Sequence, residues 1–259
     1  MEILIPVFLG FLLLYTFSYG VIFRRRSNLA VRAESASCVI SLAHGTPVAV
    51  MAARSLLHHQ ERLPSSFAAA NTPFQNEVLD FSLAYFSTDL LHYVLFHPDD
   101  VLFIAHHLAT GFVLATCRYL VSHGACAVLG LLLLAEVTSF CQNVWTLARA
   151  RRGESAFARK LCDLLSPPFY VYYSVVRGII APIFTYKMGA FYLSGKADGV
   201  IPRWLCWSWM IVVVTAIAVS ILWISNLWAE LYQKRVSRLK LEACVSDSRS
   251  ELESVKKVR

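Results

Sequence analysis

The chain has 259 residues, of which 57% are hydrophobic and only 16% charged, with a net charge of +7 and a mean hydropathy of +0.54. A soluble domain carries about a quarter charged residues, so this composition excludes an ordinary soluble globular class. The basic residues stand in short clusters beside apolar stretches, as topology determinants do, which excludes a nucleic-acid-binding surface.

The first apolar segment covers residues 3–23 and stops at Arg24, Arg25 and Arg26. It is too long for a signal-peptide core and follows Glu2 rather than a basic cluster, which predicts a retained anchor with a luminal N-terminus. A weaker second segment, 36–53, is interrupted by His44, Gly45 and Pro47, and His44 reads best as a packed histidine. The third, 78–96, carries Asp89 and His92; the fourth, 102–120, opens with His106 and His107. After Ser122, His123 and Gly124, the fifth runs to about residue 147 and contains Glu136, Gln142 and Asn143. The sixth, 164–193, holds Pro167, Pro168, Arg177 and Pro182, which predicts a kinked or broken helix. The seventh, 204–232, has Trp204, Trp207 and Trp209 near its start, the position of interfacial anchors. The polar remainder reads as disordered. The expected organisation is an all-α, polytopic membrane protein of about seven transmembrane helices: an anchor at 1–29, one domain at 30–235 and a cytosolic tail at 236–259.

Charge counting supports seven spans. With the N-terminus luminal, seventeen basic residues fall on the cytosolic side and four on the luminal side, the asymmetry of the positive-inside rule. The seven cysteines lie mostly in apolar segments without metal spacing, and predict buried thiols rather than disulfides.

An ionisable side chain inside a span is costly and marks function by default. Short connections at 97–101 and 122–125 make spans three to five antiparallel neighbours. Counting from those connections brings Asp89, His92, His106, Glu136 and Ser139 to similar depths. Tyr85 and Tyr93 flank Asp89 by one turn, and Glu136, Ser139 and Asn143 share a helical face. Three readings stand: a polar network that locks helices together, acid–base chemistry with a histidine oriented by a carboxylate, and a metal site on His92, His106, His107 and a carboxylate. Adjacent histidines diverge by about 100° around a helix, which weighs against the metal. Arg177 reads equally as a carboxylate partner or an anionic-headgroup contact. His58, His59 and His123 read as solvated.

The stretch 32–44 (Arg-Ala-Glu-Ser-Ala-Ser-Cys-Val-Ile-Ser-Leu-Ala-His), the stretch 81–89 (Phe-Ser-Leu-Ala-Tyr-Phe-Ser-Thr-Asp) and His106-His107-Leu-Ala-Thr110 together resemble the TLC domain. That family includes translocon-associated proteins, longevity-assurance ceramide synthases and a ceroid-lipofuscinosis protein. The resemblance spans roughly residues 30 to 235, and small single-domain members, including plant ones, are similar in layout. It implies an endoplasmic-reticulum protein of lipid homeostasis. If the ceramide-synthase chemistry carries over, the protein is an acyl-CoA-dependent lipid acyltransferase with catalytic His106, His107, Asp89 and Glu136. His92, Tyr85, Thr110, Ser139, Asn143 and Arg177 would then line the lipid. The implied partners are membrane lipids and acyl-CoA as co-substrate, with no resident cofactor, no metal and no nucleic acid. One element departs from that pattern: ceramide synthases carry Asp-x-x-Asp where this chain has Glu136-Val-Thr-Ser139. The alternative the family allows is a non-enzymatic lipid-sensing or cargo-trafficking protein. A seven-helix receptor shares the topology but not the short loops, and the last span lacks an Asn-Pro-x-x-Tyr element. Lys256 and Lys257, four and three residues from the end, match the dilysine retrieval signal for a cytosolic tail.

Overall fold

The computed structural model describes residues 3–26, 28–60 and 67–257, with the side chains of 58–60, 234, 238 and 241–257 left aside. Nine α-helices and three π-helical turns lie among the described residues: α1 (Leu4–Phe17), α2 (Leu29–Gln60), α3 (Pro73–Phe96), α4 (Val101–Ala115), α5 (Ala125–Glu136), α6 (Ser139–Ala150), α7 (Ala156–Val175), α8 (Ala181–Leu193) and α9 (Arg203–Lys257). The π turns Ser18–Ile22, Thr116–Val121 and Val176–Ile180 continue α1, α4 and α7. The helices join into seven rods, because α5 leads into α6 and α7 passes through its π turn into α8. Five rods are individually long and apolar enough to cross a membrane. The other two, α3 and α7–α8, carry more polar groups.

Local chemistry sets where the rods begin. Asn28 Oδ1 accepts from the Ala30 and Val31 amides at the start of α2. A capping box opens α3: Thr72 Oγ1 accepts from the Gln75 amide, Gln75 Oε1 accepts from the Thr72 amide, and Pro73 follows the cap. Asp100 and Ser155 cap α4 and α7. The π turn Val176–Ile180 contains Gly178, the residue four before Pro182. Widening the helix there relieves the clash between the proline ring and the preceding turn, so the expected break in span six is a bulge within a continuous rod.

Two ends can be told apart. At one, Arg26 bonds Glu154, the Arg151 guanidinium lies over the Phe23 ring, and Arg149 pairs with Glu230. The basic clusters after α1, between α6 and α7, and on α9 therefore share one end, as the charge count requires. At the other end Asn71 ties three connections together: Nδ2 donates to the Cys117 carbonyl, Oδ1 accepts from the Ala125 amide, and its own amide donates to Ser122. Gly124 turns this corner at φ +91°, which a side chain would strain, with Trp209 against it.

Helix α2 lies at the centre, packed against α1, α3, α5 and α6, while α9 closes the far side against α4, α7 and α8. Large apolar side chains such as Leu13, Leu95 and Leu222 face outward, and Ser37, His44, Asp89, His107 and Glu136 are buried. This polarity suits a bilayer and is the reverse of a soluble fold.

Three expectations are corrected. Helix α9 continues through the polar tail to Lys257, where disorder was expected from 236; nothing after Pro202 is glycine or proline, and Leu, Lys, Glu and Ala favour helix. Residues Val258 and Arg259 of the retrieval signal lie outside the described residues. Trp209 is fully buried, its Nε1–H donating to Thr116 Oγ1, while Trp204 and Trp207 stay exposed. His123 is held in the corner, Nδ1–H donating to the Val121 carbonyl, and is only partly exposed. The first rod packs into the bundle: Tyr15 OH lies 2.9 Å from His92 Nδ1, and Phe11 packs on Tyr85. His58 and His59 lie among the side chains left aside.

Candidate functional site

The intramembrane polar residues form two linked clusters around α2. In the first, Asp89 on α3 is buried and surrounded by donors. Ser37 Oγ donates to Oδ1 at 2.6 Å, Tyr85 OH donates to Oδ2 at 3.4 Å, and His107 Nε2 lies 2.9 Å from Oδ2. His107 Nδ1 is 2.8 Å from the Phe103 carbonyl. A carbonyl can only accept, so Nδ1 carries a hydrogen. A neutral imidazole then has a bare Nε2, which cannot face a bare carboxylate. The contact therefore holds one further proton, on Nε2 or on the carboxyl oxygen, and the dyad is neutral as a whole.

The second cluster joins α2 to α5 and α6. Ser82 Oγ donates to the Val78 carbonyl, so His44 Nε2–H must donate to Ser82 Oγ, at 3.2 Å. That leaves His44 Nδ1 a lone pair, buried and without a hydrogen-bond partner among the described residues, 4.0 Å from Glu136 Oε1. The helices approach closely because residue 45 is glycine: a Cβ there would sit 2.6 Å from Glu136 Oε2 and 3.1 Å from Ser139 Cβ. Asn143 Nδ2 donates to Ser41 Oγ at 2.8 Å and to the Ser139 carbonyl. Tyr85 bridges the clusters, stacked on His44 at 4.1 Å between ring centroids with its hydroxyl toward Asp89.

His106 is separate from both. One residue along α4 from His107, it points about 100° away, and it is exposed. Phe86 and His107 contribute the nearest rings, and Arg177 is close enough for its charge to bear on it. No hydrogen bond reaches it among the described residues. The same face of α4 continues through Thr110, partly buried, to Val113 and Cys117, both buried. This face is closed toward the Gly124 corner, where Trp209 Nε1–H donates to Thr116 Oγ1. Along α9 the residues 214–219 include none that is buried.

The sequence-derived candidates divide accordingly. Asp89, His107 and Tyr85 meet directly, and Glu136, Ser139 and Asn143 meet on the second cluster. Asp89 lies level with His107, within about a turn of the expected Ala109. Thr110 lies on the His106 face. His92 goes elsewhere, to Tyr15 and the Phe96 ring. Arg177 makes no ion pair among the described residues: Nη2 donates to the Ala135 carbonyl at 2.8 Å. Span five breaks at Val137 and Thr138, and Arg177 and the Tyr172 hydroxyl occupy carbonyls the break would orphan. Among the described residues no group of three or more His, Cys, Asp or Glu side chains could hold a metal ion.

Two participants were missed in the sequence, Ser37 and Ser41 on α2; they stand with His44, which is packed as expected, and Gly45. Their signal was present as small and polar residues spaced four, three and one apart inside an apolar span, a helical face. Asp80 was also missed. It is buried, held by Arg118 through two bonds of 3.1 and 3.2 Å and by Tyr119 OH at 2.6 Å, and it fastens α3 to the end of α4.

The comparisons with known proteins agree with this architecture. The family model described as the TLC domain matches residues 34–229. The TLC domain-containing protein At5g14285 of Arabidopsis thaliana is 58% identical over 234 residues, covering 89% of this chain and 91% of the relative. No solved structure matches. The match begins after α1 and takes in α2 with both polar clusters, and the family is linked to lipid metabolism and homeostasis; this chain belongs to the TLC-domain family.

Proposed function

We propose that this protein is a lipid acyltransferase of the endoplasmic-reticulum membrane in which His106 meets the acyl donor and the His107–Asp89 dyad stands beside it. The observation that carries this reading is the contrast between adjacent imidazoles. Both nitrogens of His107 are engaged, by Phe103 and by Asp89. His106 is exposed on α4, on the helical face that continues to the buried Val113 and Cys117. An imidazole nitrogen free of partners can attack the carbonyl carbon of an acyl thioester such as acyl-CoA. The N–C bond forms as the C–S bond breaks and the thiolate departs, leaving an acyl-imidazolium. A lipid amine or hydroxyl then takes the acyl group from the imidazole and releases its proton. That proton passes to the departed thiolate, which leaves as the thiol. The basic clusters gathered at one end of the bundle support a cytosolic tail.

Comparative lipidomics of cells expressing wild type, His106→Ala and His107→Ala at matched membrane levels tests the reading. One acyl-lipid class rises with wild type and not with His106→Ala. Identical profiles from wild type and a folded His106→Ala overturn it. The non-enzymatic alternative, lipid sensing or cargo trafficking, is favoured by Glu136-Val-Thr-Ser139 and by the full engagement of Asp89, and that second outcome would establish it. Replacing Lys256 and Lys257 by serine moves the protein out of the endoplasmic reticulum if the location is right.

A further inference from the structure

We propose that a groove on the outer face of the bundle, between α3 and α4, holds the hydrocarbon chain of a bilayer lipid. The groove has a volume of about 320 Å³. Its floor on α4 is His107, Gly111 and Ala115, spaced i, i+4, i+8 and so in line along one face for about 12 Å. Leu108 and Phe112 form one wall and Phe86 and Leu90 of α3 the other.

The chemistry of the lining identifies the occupant. Only two lining residues have polar side chains, and both are already satisfied. Ser87 Oγ donates to the Leu83 carbonyl at 2.7 Å. His107 has its nitrogens on Phe103 and Asp89 and so turns ring carbons toward the groove. A surface that offers no free donor or acceptor recognises hydrocarbon and not a headgroup. It faces the bilayer side, where acyl chains are the material at hand.

Gly111 supports the same conclusion. Glycine inside a helix is unfavourable relative to alanine, and membrane helices commonly accept it to bring two helices close. Here a Cβ would meet only Leu83 Cδ1, at 4.0 Å, an ordinary contact. The α3–α4 packing does not require the glycine; the depth of the groove does. A helix of a second copy is the usual partner of such a stripe, but Leu108 and Phe112, 56% and 38% exposed, stand up beside it. A single chain fits between those walls where a helix backbone does not. His106 is not among the residues that line the groove, so this proposal does not rest on the acyl-transfer reading.

The test is photolabelling of the full chain in phosphatidylcholine nanodiscs containing a small fraction of phosphatidylcholine with a diazirine on one acyl chain. Adducts are mapped by mass spectrometry. Wild type should label Leu90, Leu108 and Phe112 several-fold more densely than the lipid-facing Leu13 and Leu222. Gly111→Leu should remove that excess at least fivefold and leave Leu13 and Leu222 unchanged, while Gly111→Ala keeps part of it. Should Gly111→Leu fail to fold, Ala115→Leu fills the same trough one turn on and its map decides. Uniform labelling in wild type, or an excess that survives filling, overturns the proposal. So does efficient disulfide cross-linking of Gly111→Cys between copies, which would put a second protomer in the groove.

Discussion

Removing the Asp89 carboxylate should be far more damaging than neutralising it, and the size of the gap follows from its three partners. Asp89→Ala leaves Ser37 Oγ and His107 Nε2 buried without their acceptor and loses the long contact from Tyr85. Hydrogen bonds between membrane helices average about 0.6 kcal/mol, whereas a bond to a charged group is worth about 1.5–3 kcal/mol. One of each, with the weak Tyr85 contact discounted, gives a loss of roughly 2–4 kcal/mol. Asp89→Asn keeps the shape and can still bond His107 and Ser37. It should cost about 1 kcal/mol, the difference between a charge-assisted and a neutral bond. His107→Leu in the Asp89→Ala background removes the stranded imidazole, so the double variant should lose less than the sum of the singles by about 1–2 kcal/mol. The assay is equilibrium unfolding of the purified protein in mixed micelles against a denaturing detergent, with near-ultraviolet circular dichroism as the readout. Equal losses for Asp89→Ala and Asp89→Asn, together with additive behaviour in the double variant, would refute the proton-sharing dyad.

Gly45→Ala puts a carbon 2.6 Å from Glu136 Oε2 and 3.1 Å from Ser139 Cβ. It should destabilise by about 1–3 kcal/mol in the same assay, while Gly10→Ala, with nothing within 4 Å, should be neutral or stabilising by up to about 1 kcal/mol. Arg118→Met strands the buried Asp80 carboxylate and should cost about 3–5 kcal/mol; restoring stability with Asp80→Asn in the same chain checks that the charge is responsible. Arg177→Met releases the Ala135 carbonyl at the α5–α6 break and should cost about 1–3 kcal/mol, with amide exchange accelerating first around 135–139. Glu154→Ala removes an exposed partner of Arg26 and should change stability by less than about 1 kcal/mol, which a measured loss of several kcal/mol would contradict.

Hydrophobic length and the placement of charges are properties of the chain, because each span must satisfy its own backbone in lipid. The seven rods, the shared end of the basic clusters and the presence of costly polar groups at Asp89, His107 and Glu136 were therefore legible from residue order. Breaks were partly legible: Pro182 announces the π turn, but nothing in the apolar run through Glu136 announces the break at Val137 and Thr138. Which side each rod turns inward was not legible. A helix side chain moves about 100° per residue, and rotation about the axis is decided by packing against neighbours rather than by hydropathy. That is why the histidine pair could be found in the sequence, while the bonding of His107 to Asp89 and the exposure of His106 could not. For the same reason Trp209 reads as an interfacial anchor and is core, and Arg177 reads as a charge partner and caps a broken helix. The central place of α2, with Ser37, Ser41, His44 and Gly45 facing three other helices, is a tertiary fact: a segment interrupted by polar residues can sit at the centre of the bundle, because its neighbours shield its polar groups from lipid.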